Sequence, residues 1–292
     1  MMNKVGRPDM DYADVLELCS NGITGLADLK GRFDSSRGAL VDCALDYEER
    51  AADGRVYQIA PFSDHEDSIA LGQLSSADLT KLYKQYFSAK GKPARDVYDQ
   101  LMLAAKEHCP FCGGIGRPTT LDHFLPKVHF PAYAVSPSNL VPSCKDCNMG
   151  EKAEFYSAVY ERQFIHPYWE DEKFFGQQWV RAKFGAWPAL EDSVVEYFVD
   201  APGSWLAEER ERVKNHFEAF DLPKRFSVKP AEQRGVVVAQ IETMLEDGLS
   251  PDQVNRLILI PAINGVALPN AWLKCMYQAF SEWLMQHGRV RY

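Results

Sequence analysis

The chain of 292 residues contains no apolar run approaching the roughly 18 residues that a membrane-spanning helix requires. Its opening residues lack the apolar stretch of a secretory leader and carry Asp9, Asp11 and Asp14 instead. Both absences predict a cytoplasmic protein with no membrane partner. There is no internal repeat and no low-complexity segment, which leaves an ordinary globular fold. With 46% hydrophobic and 25% charged residues, collagen-like, coiled-coil and largely disordered chains are excluded. Positive charge is short as well: 32 Lys and Arg against 41 Asp and Glu leave a net charge of −9. Such a surface does not cling unaided to nucleic-acid phosphates. Nor is there a basic stripe with interleaved aromatics to mark a base-reading helix.

The deficit of positive charge is uneven. Residues 101–165 are balanced, and the acidic excess lies on either side of them. A divalent cation bound in that middle segment would make it locally positive, so a metal-dependent nuclease stays open. The acidic flanks also raise the expectation of a protein partner.

Seven cysteines in a reducing compartment do not predict a disulfide framework. Four of them form two C-x-x-C pairs, Cys109 with Cys112 and Cys144 with Cys147, separated by 31 residues. A two-residue spacer turns both thiolates inward on one tight knuckle, and two knuckles complete a tetrahedral zinc site. Pro110 and Gly113-Gly114 supply the turn chemistry of the first. A site closed by four cysteines has no open position, so this zinc is expected to be structural and the chemistry to lie elsewhere. Cys19, Cys43 and Cys275 stand alone in apolar helical patterns and read as core thiols.

Between and after the knuckles stand Asp122-His123, Asn139-Leu140, Cys147-Asn148 and Lys152. This set resembles the HNH, or His-Me finger, endonucleases, with Asn148 at the position of the last histidine. Lys152 follows Asn148 by four residues, where three is the commoner family spacing. The wording LDHFLPK, FPAYA and PSNLVP is similar to a bacterial subgroup found in anti-phage defence systems. The resemblance implies a ββα-metal core with the cysteine pairs as an accessory zinc clasp. It further implies hydrolysis of phosphodiester bonds, with DNA the expected substrate, and a protein partner such as an ATPase or sensor encoded in the same operon.

Elementary chemistry supports the same residues. Thr119–Leu125 and Asn139–Ser143 read as strands and Lys145–Tyr160 as a helix, with Pro126, Pro131 and Pro137 keeping the loop between the strands non-helical. Phosphodiester hydrolysis requires a deprotonated water and a cation to stabilise charge on the phosphate. His123 is the candidate general base. Asn139, across the hairpin, is placed to orient its ring. Oxygen ligands from Asp122 and Asn148 suit magnesium or manganese, although Asp122 needs a local bend to share a face with its neighbour. Lys152 is the candidate phosphate contact.

His108 is expected at the surface, His129 in the proline-rich loop either touching substrate or simply packing, and His166 in a structural role rather than as a third metal ligand. Residues 11–54 read as helical with breaks at Asn21-Gly22 and Gly31. Ser75–Asp78 looks like an N-cap for a helix carrying Leu79, Leu82, Tyr83 and Phe87, and another helix covers Ala94–Ala105. Further helices are expected over Trp205–Phe220, Ala231–Leu245, Pro251–Leu259 and Ala271–Met285. The predicted fold is therefore α+β and mostly α: a helical region 1–100, a zinc-stapled ββα core 101–165 and a helical region 166–292. The competing function is a zinc-ribbon module that binds or regulates, with the polar set a relic. A redox role for the C-x-x-C pairs is disfavoured by their zinc register.

Overall fold

Asp11 opens the first helix by accepting the Ala13 N–H at 2.7 Å, satisfying one of the donors a helix start leaves bare. The computed structural model describes residues 4–62, 68–149, 154–184 and 195–287. Helix α1 spans Tyr12–Gly22 and α2 spans Ala27–Ala52. The break predicted at Gly31 does not occur. A buried stripe of Leu29, Phe33, Leu40, Ala44, Tyr47 and Ala51 holds α2 together, and outweighs the roughly 1 kcal/mol that a glycine costs in a helix interior.

A hairpin of β1 (Ile69–Leu71) and β2 (Leu74–Ser75) follows, within the flank that was predicted to be helical. Its turn places Gly72 at φ +57°, where an added Cβ would meet Ser36 Oγ at 2.5 Å, so only glycine fits. Helix α3 (Ser76–Lys81) starts at the expected N-cap, with Ser75 and Asp78 forming a reciprocal capping box. It continues as a π-helical turn over Leu82–Phe87, and α4 covers Arg95–Ala104. The predicted apolar positions Leu79, Leu82, Tyr83 and Phe87 are all buried, as are Tyr98, Leu101 and Ala105.

The middle segment contains an antiparallel pair, β3 (Thr120–His123) and β4 (Leu140–Ser143), in register Asp122 to Val141 and His123 to Leu140. Short 3-10 turns at Pro131–Tyr133 and Pro137–Asn139 shape the connection. Asn139 thus lies in a turn rather than in the strand. Among the described residues helix α5 covers Lys145–Met149, and the helix predicted as far as Tyr160 does not reach that far. From Glu154 to Val159 the chain is non-helical. Aromatic contacts draw it back instead: Tyr156 packs on His129 at 4.8 Å and on Phe130 at 5.1 Å, and Phe155 on Phe164 at 5.2 Å.

Residues 3–170 form one compact unit, and residues 171–292 make up the body of a second. In the first, α1, α2, α3 and α4 share a single core with β3 and β4: Leu16, Phe33, Leu40, Leu79 and Phe87 cluster with Leu121, Val135 and Leu140. The N-terminal helices and the cysteine-bearing segment are therefore one folding body.

The second unit holds α6 (Lys173–Gly176), strands β5 (Val180–Phe184) and β6 (Val195–Val199), α7 (Ala207–Ala219), α8 (Leu222–Val228), α9 (Ala231–Glu246), α10 (Pro251–Val254), α11 (Ile260–Gly265) and α12 (Trp272–His287). A π-helical turn, Asn255–Leu259, joins α10 to α11. The antiparallel β5–β6 pair was not anticipated in a flank read as helical. Its alternation buries Val180, Ala182, Val195 and Tyr197 and leaves Glu196 exposed. Helix α7 has its expected buried Val213 and Phe217, but Arg212 on its charged face is also fully buried, against Phe174. The whole is α+β and mostly helical, with small two-stranded sheets. Among the described residues no helix is long and apolar enough to cross a membrane.

Candidate active site and metal centre

The four paired cysteines converge. The sulfurs of Cys109, Cys112, Cys144 and Cys147 all lie within 4.8 Å of one another, and all four residues are buried. Cys112 Sγ and Cys144 Sγ are 3.8 Å apart, matching the edge of about 3.8 Å of a tetrahedron with Zn–S of about 2.3 Å. Local backbone chemistry builds each knuckle. Gly113 and Gly114 take φ of +68° and +80°, the Gly114 N–H donates to the Cys109 carbonyl at 3.1 Å, and the Gly116 N–H points at Cys112 Sγ at 3.4 Å. The Asn148 N–H donates to the Cys144 carbonyl at 3.0 Å, closing the second.

Thiol contacts from Cys109, then Cys144 and Cys147, drive Cys112 towards thiolate, while the same crowding pushes Cys109 and Cys147 up. Four buried sulfurs so close favour a cation that takes thiolate ligands, and the group could hold a metal ion such as zinc. His108 is exposed, packs over Gly114 and does not belong to the cluster.

A cleft of about 740 Å³ lies beside this centre, and Asp122, His123 and Asn148 all line it. Both Asp122 and His123 reach it from the last two positions of β3. His123 Nε2 is 2.9 Å from the Ala134 carbonyl oxygen. A carbonyl only accepts, so Nε2 carries a proton. The same ring makes a T-shaped contact with Tyr83, with ring centroids 4.5 Å apart at 69°. The Tyr83 hydroxyl donates to the Leu121 carbonyl at 3.3 Å, and burial pushes its ionisation well above the usual phenol range.

Asn139 does not orient His123, as the sequence suggested; the Ala134 carbonyl does. Asn139 is fully buried, and its amide clamps the loop that carries Ala134. Its Oδ1 accepts the Leu125 N–H at 2.7 Å, and its Nδ2 donates to the carbonyls of Leu125 at 3.1 Å and Tyr133 at 3.3 Å. Lys152 lies outside the described residues. His166 does not line the cleft: it accepts the Tyr168 N–H on Nδ1 at 3.2 Å and meets the Tyr47 hydroxyl through Nε2 at 2.9 Å, with its ring tilted against Phe124 at 4.0 Å. His129 packs on Tyr156 instead of facing the cleft.

Several cleft residues were missed: Thr80, Lys81, Lys84 and Gln85 from the α3 segment, Lys127 from the loop, and Glu154. The solvent-facing positions of an amphipathic helix were the available signal, but nothing in the periodicity says which distant element such a face meets.

No family model matches the sequence, and no solved structure matches the fold. The chain is 30% identical over 293 aligned positions to Protein ea31 of Escherichia phage lambda, an alignment covering 96% of this chain and 97% of that protein. This chain accordingly belongs to the family of the phage lambda Protein ea31.

Proposed function

We propose that this protein is a metal-dependent endonuclease of the HNH type, cutting phosphodiester bonds of nucleic acid, with DNA the first substrate to test. The observation that carries the reading is the convergence of Asp122, His123 and Asn148 on one cleft next to the four-cysteine cluster. In this reading β3, β4 and α5 are the ββα core, and zinc on the cysteines staples it. A role in anti-phage defence, with an operon-encoded ATPase or sensor as partner, belongs to the same proposal. The phage source of the relative is compatible with it.

His123 takes a proton through Nδ1 from the attacking water, because the Ala134 carbonyl occupies its Nε2–H. Asp122 and Asn148 offer oxygen ligands at the cleft, a donor set suited to magnesium or manganese. Such a cation, when bound, stabilises charge on the phosphate and the leaving oxygen. Tyr83 packs its ring against the imidazole, so His123 is aimed by this T-shaped contact as well as by its hydrogen bond. Asn139 keeps the Ala134 carbonyl in place through the loop it clamps.

The test is incubation of plasmid DNA, single-stranded DNA and RNA with the purified full chain in magnesium or manganese, with EDTA and His123→Ala as controls. Cutting that requires both metal and His123 supports the reading. Intact substrates throughout, with no magnesium or manganese binding that Asp122→Ala abolishes, favour a zinc-ribbon binding or regulatory module.

A further inference from the structure

The acidic whole, with its net charge of −9, repels a polyanion, so strand binding needs a local source of positive charge. The cleft contains one. Lys81, Lys84 and Lys127 line it, against the carboxylates of Asp122 and Glu154. Lys81 and Lys84 come from the helical segment Ser76–Phe87, whose other face anchors Leu79, Leu82, Tyr86 and Phe87 in the core. Lys81 is half-buried and Lys84 exposed, and neither pairs with a carboxylate among the described residues. Thr80 and Gln85 add neutral donors beside them. Lys127 leans over the Tyr83 ring at 5.8 Å from its centroid, which brings its charge to the same wall. The segment widens into a π-helical turn at Leu82, a local geometry that recurs at functional sites.

Resting on the nuclease reading, we propose that Lys81 and Lys84 form a phosphate-binding wall that seats the backbone of a polynucleotide strand opposite Asp122, His123 and Asn148. The lysines lie outside the strand–strand–helix unit, so the N-terminal helices contribute to the substrate site and do more than enlarge the core. Ammonium groups on flexible stems contact phosphates as point charges and carry no sequence information. The wall therefore fits a strand held by its backbone, without base reading.

The experiment uses the full chain with His123→Ala to prevent turnover, a labelled DNA duplex and a labelled single strand as probes, and magnesium in the buffer. Affinity is followed by fluorescence anisotropy across a salt series. Lys81→Ala with Lys84→Ala should flatten the slope of log affinity against log salt by about 1.8 on a duplex or about 1.4 on a single strand, since each lost phosphate contact removes about 0.9 or 0.7. Lys90→Ala, on the exposed Lys90 outside the cleft, should leave it unchanged. A double variant that keeps the parent slope, in a protein whose wild type cleaves, overturns the wall and leaves the nuclease standing. A wild-type chain that neither binds nor cuts either probe overturns both.

Discussion

The side-chain amide of Asn139 closes on both backbone groups of Leu125, accepting its N–H at 2.7 Å and donating to its carbonyl at 3.1 Å. One buried side chain thereby pins the start of the loop between β3 and β4 to its end. The third bond, to Tyr133 at 3.3 Å, fixes the turn immediately before Ala134. His123 Nε2 meets the carbonyl of that next residue, Ala134, at 2.9 Å, so Asn139 reaches the imidazole only through the loop it clamps.

Asn139→Ala should destabilise the first unit by about 3 kcal/mol, because it strands buried backbone groups that each cost about 1 to 3 kcal/mol unpaired. Urea denaturation followed by tryptophan fluorescence measures this. A variant as stable as the parent would show that the clamp is not needed.

The tautomer of His123 follows from its carbonyl partner. Long-range proton–nitrogen NMR spectra should show a neutral ring protonated at Nε2 with Nδ1 bare. Protonation at Nδ1 instead would remove the proposed base. In the cleavage assay His123→Ala should lose at least a hundredfold in rate, the lower end of what a positioned general base contributes.

Metal removal should act on folding. The purified chain is expected to hold one zinc per molecule by elemental analysis, with Cys147→Ser losing it. Structural zinc contributes roughly 10 to 16 kcal/mol in isolated finger peptides. Strong chelation should therefore lower the melting temperature of the unit that carries the cysteines. An unchanged melt after complete zinc removal would count against a structural clasp. Gly114→Ala should weaken the same knuckle, since its φ is +80° and a Cβ would sit 2.9 Å from His108 Nδ1.

The alkaline limb of stability has an identifiable source. Burial pushes the Cys19 thiol from 9.0 up to about 12, and burial does the same first for Cys275. A raised acid favours the folded state while it stays protonated. Its contribution is complete below pH 9, where both states hold the proton, and is lost as pH rises from about 9 to about 12. Each thiol then adds up to about 1.4 kcal/mol of stability loss per pH unit. Chemical denaturation at pH 8 and pH 10.5 should show a shallower decline for Cys19→Ala than for the parent. Parallel declines would place the alkaline sensitivity elsewhere.

Features set by short-range chemistry were legible in the amino-acid order. The cysteine knuckles were, because a C-x-x-C with glycines beside it turns two sulfurs inward whatever surrounds it. The capping box at Ser75 and Asp78 and the apolar stripe behind it were also legible, since both repeat at helical spacing. The β5–β6 pair is faint in the sequence although Val180 and Ala182, and Val195 and Tyr197, alternate as a strand should. Five residues of alternation are weak beside long helical patterns on either side.

Sequence alone determined the residue types of the candidate site and the local turns that present them: an imidazole, two oxygen donors and four sulfurs at workable spacings. Tertiary structure decided which of them meet. It placed Asp122 and His123 on one cleft despite their opposed faces in a strand, set the Ala134 carbonyl against the His123 ring and Asn139 across the loop, and brought Lys81 and Lys84 to the same cleft from a helical segment earlier in the chain. The reason is physical: spacing sets the direction of a side chain over a few residues, whereas its partners across the fold depend on how buried faces such as Leu79, Leu121 and Leu140 pack into one core.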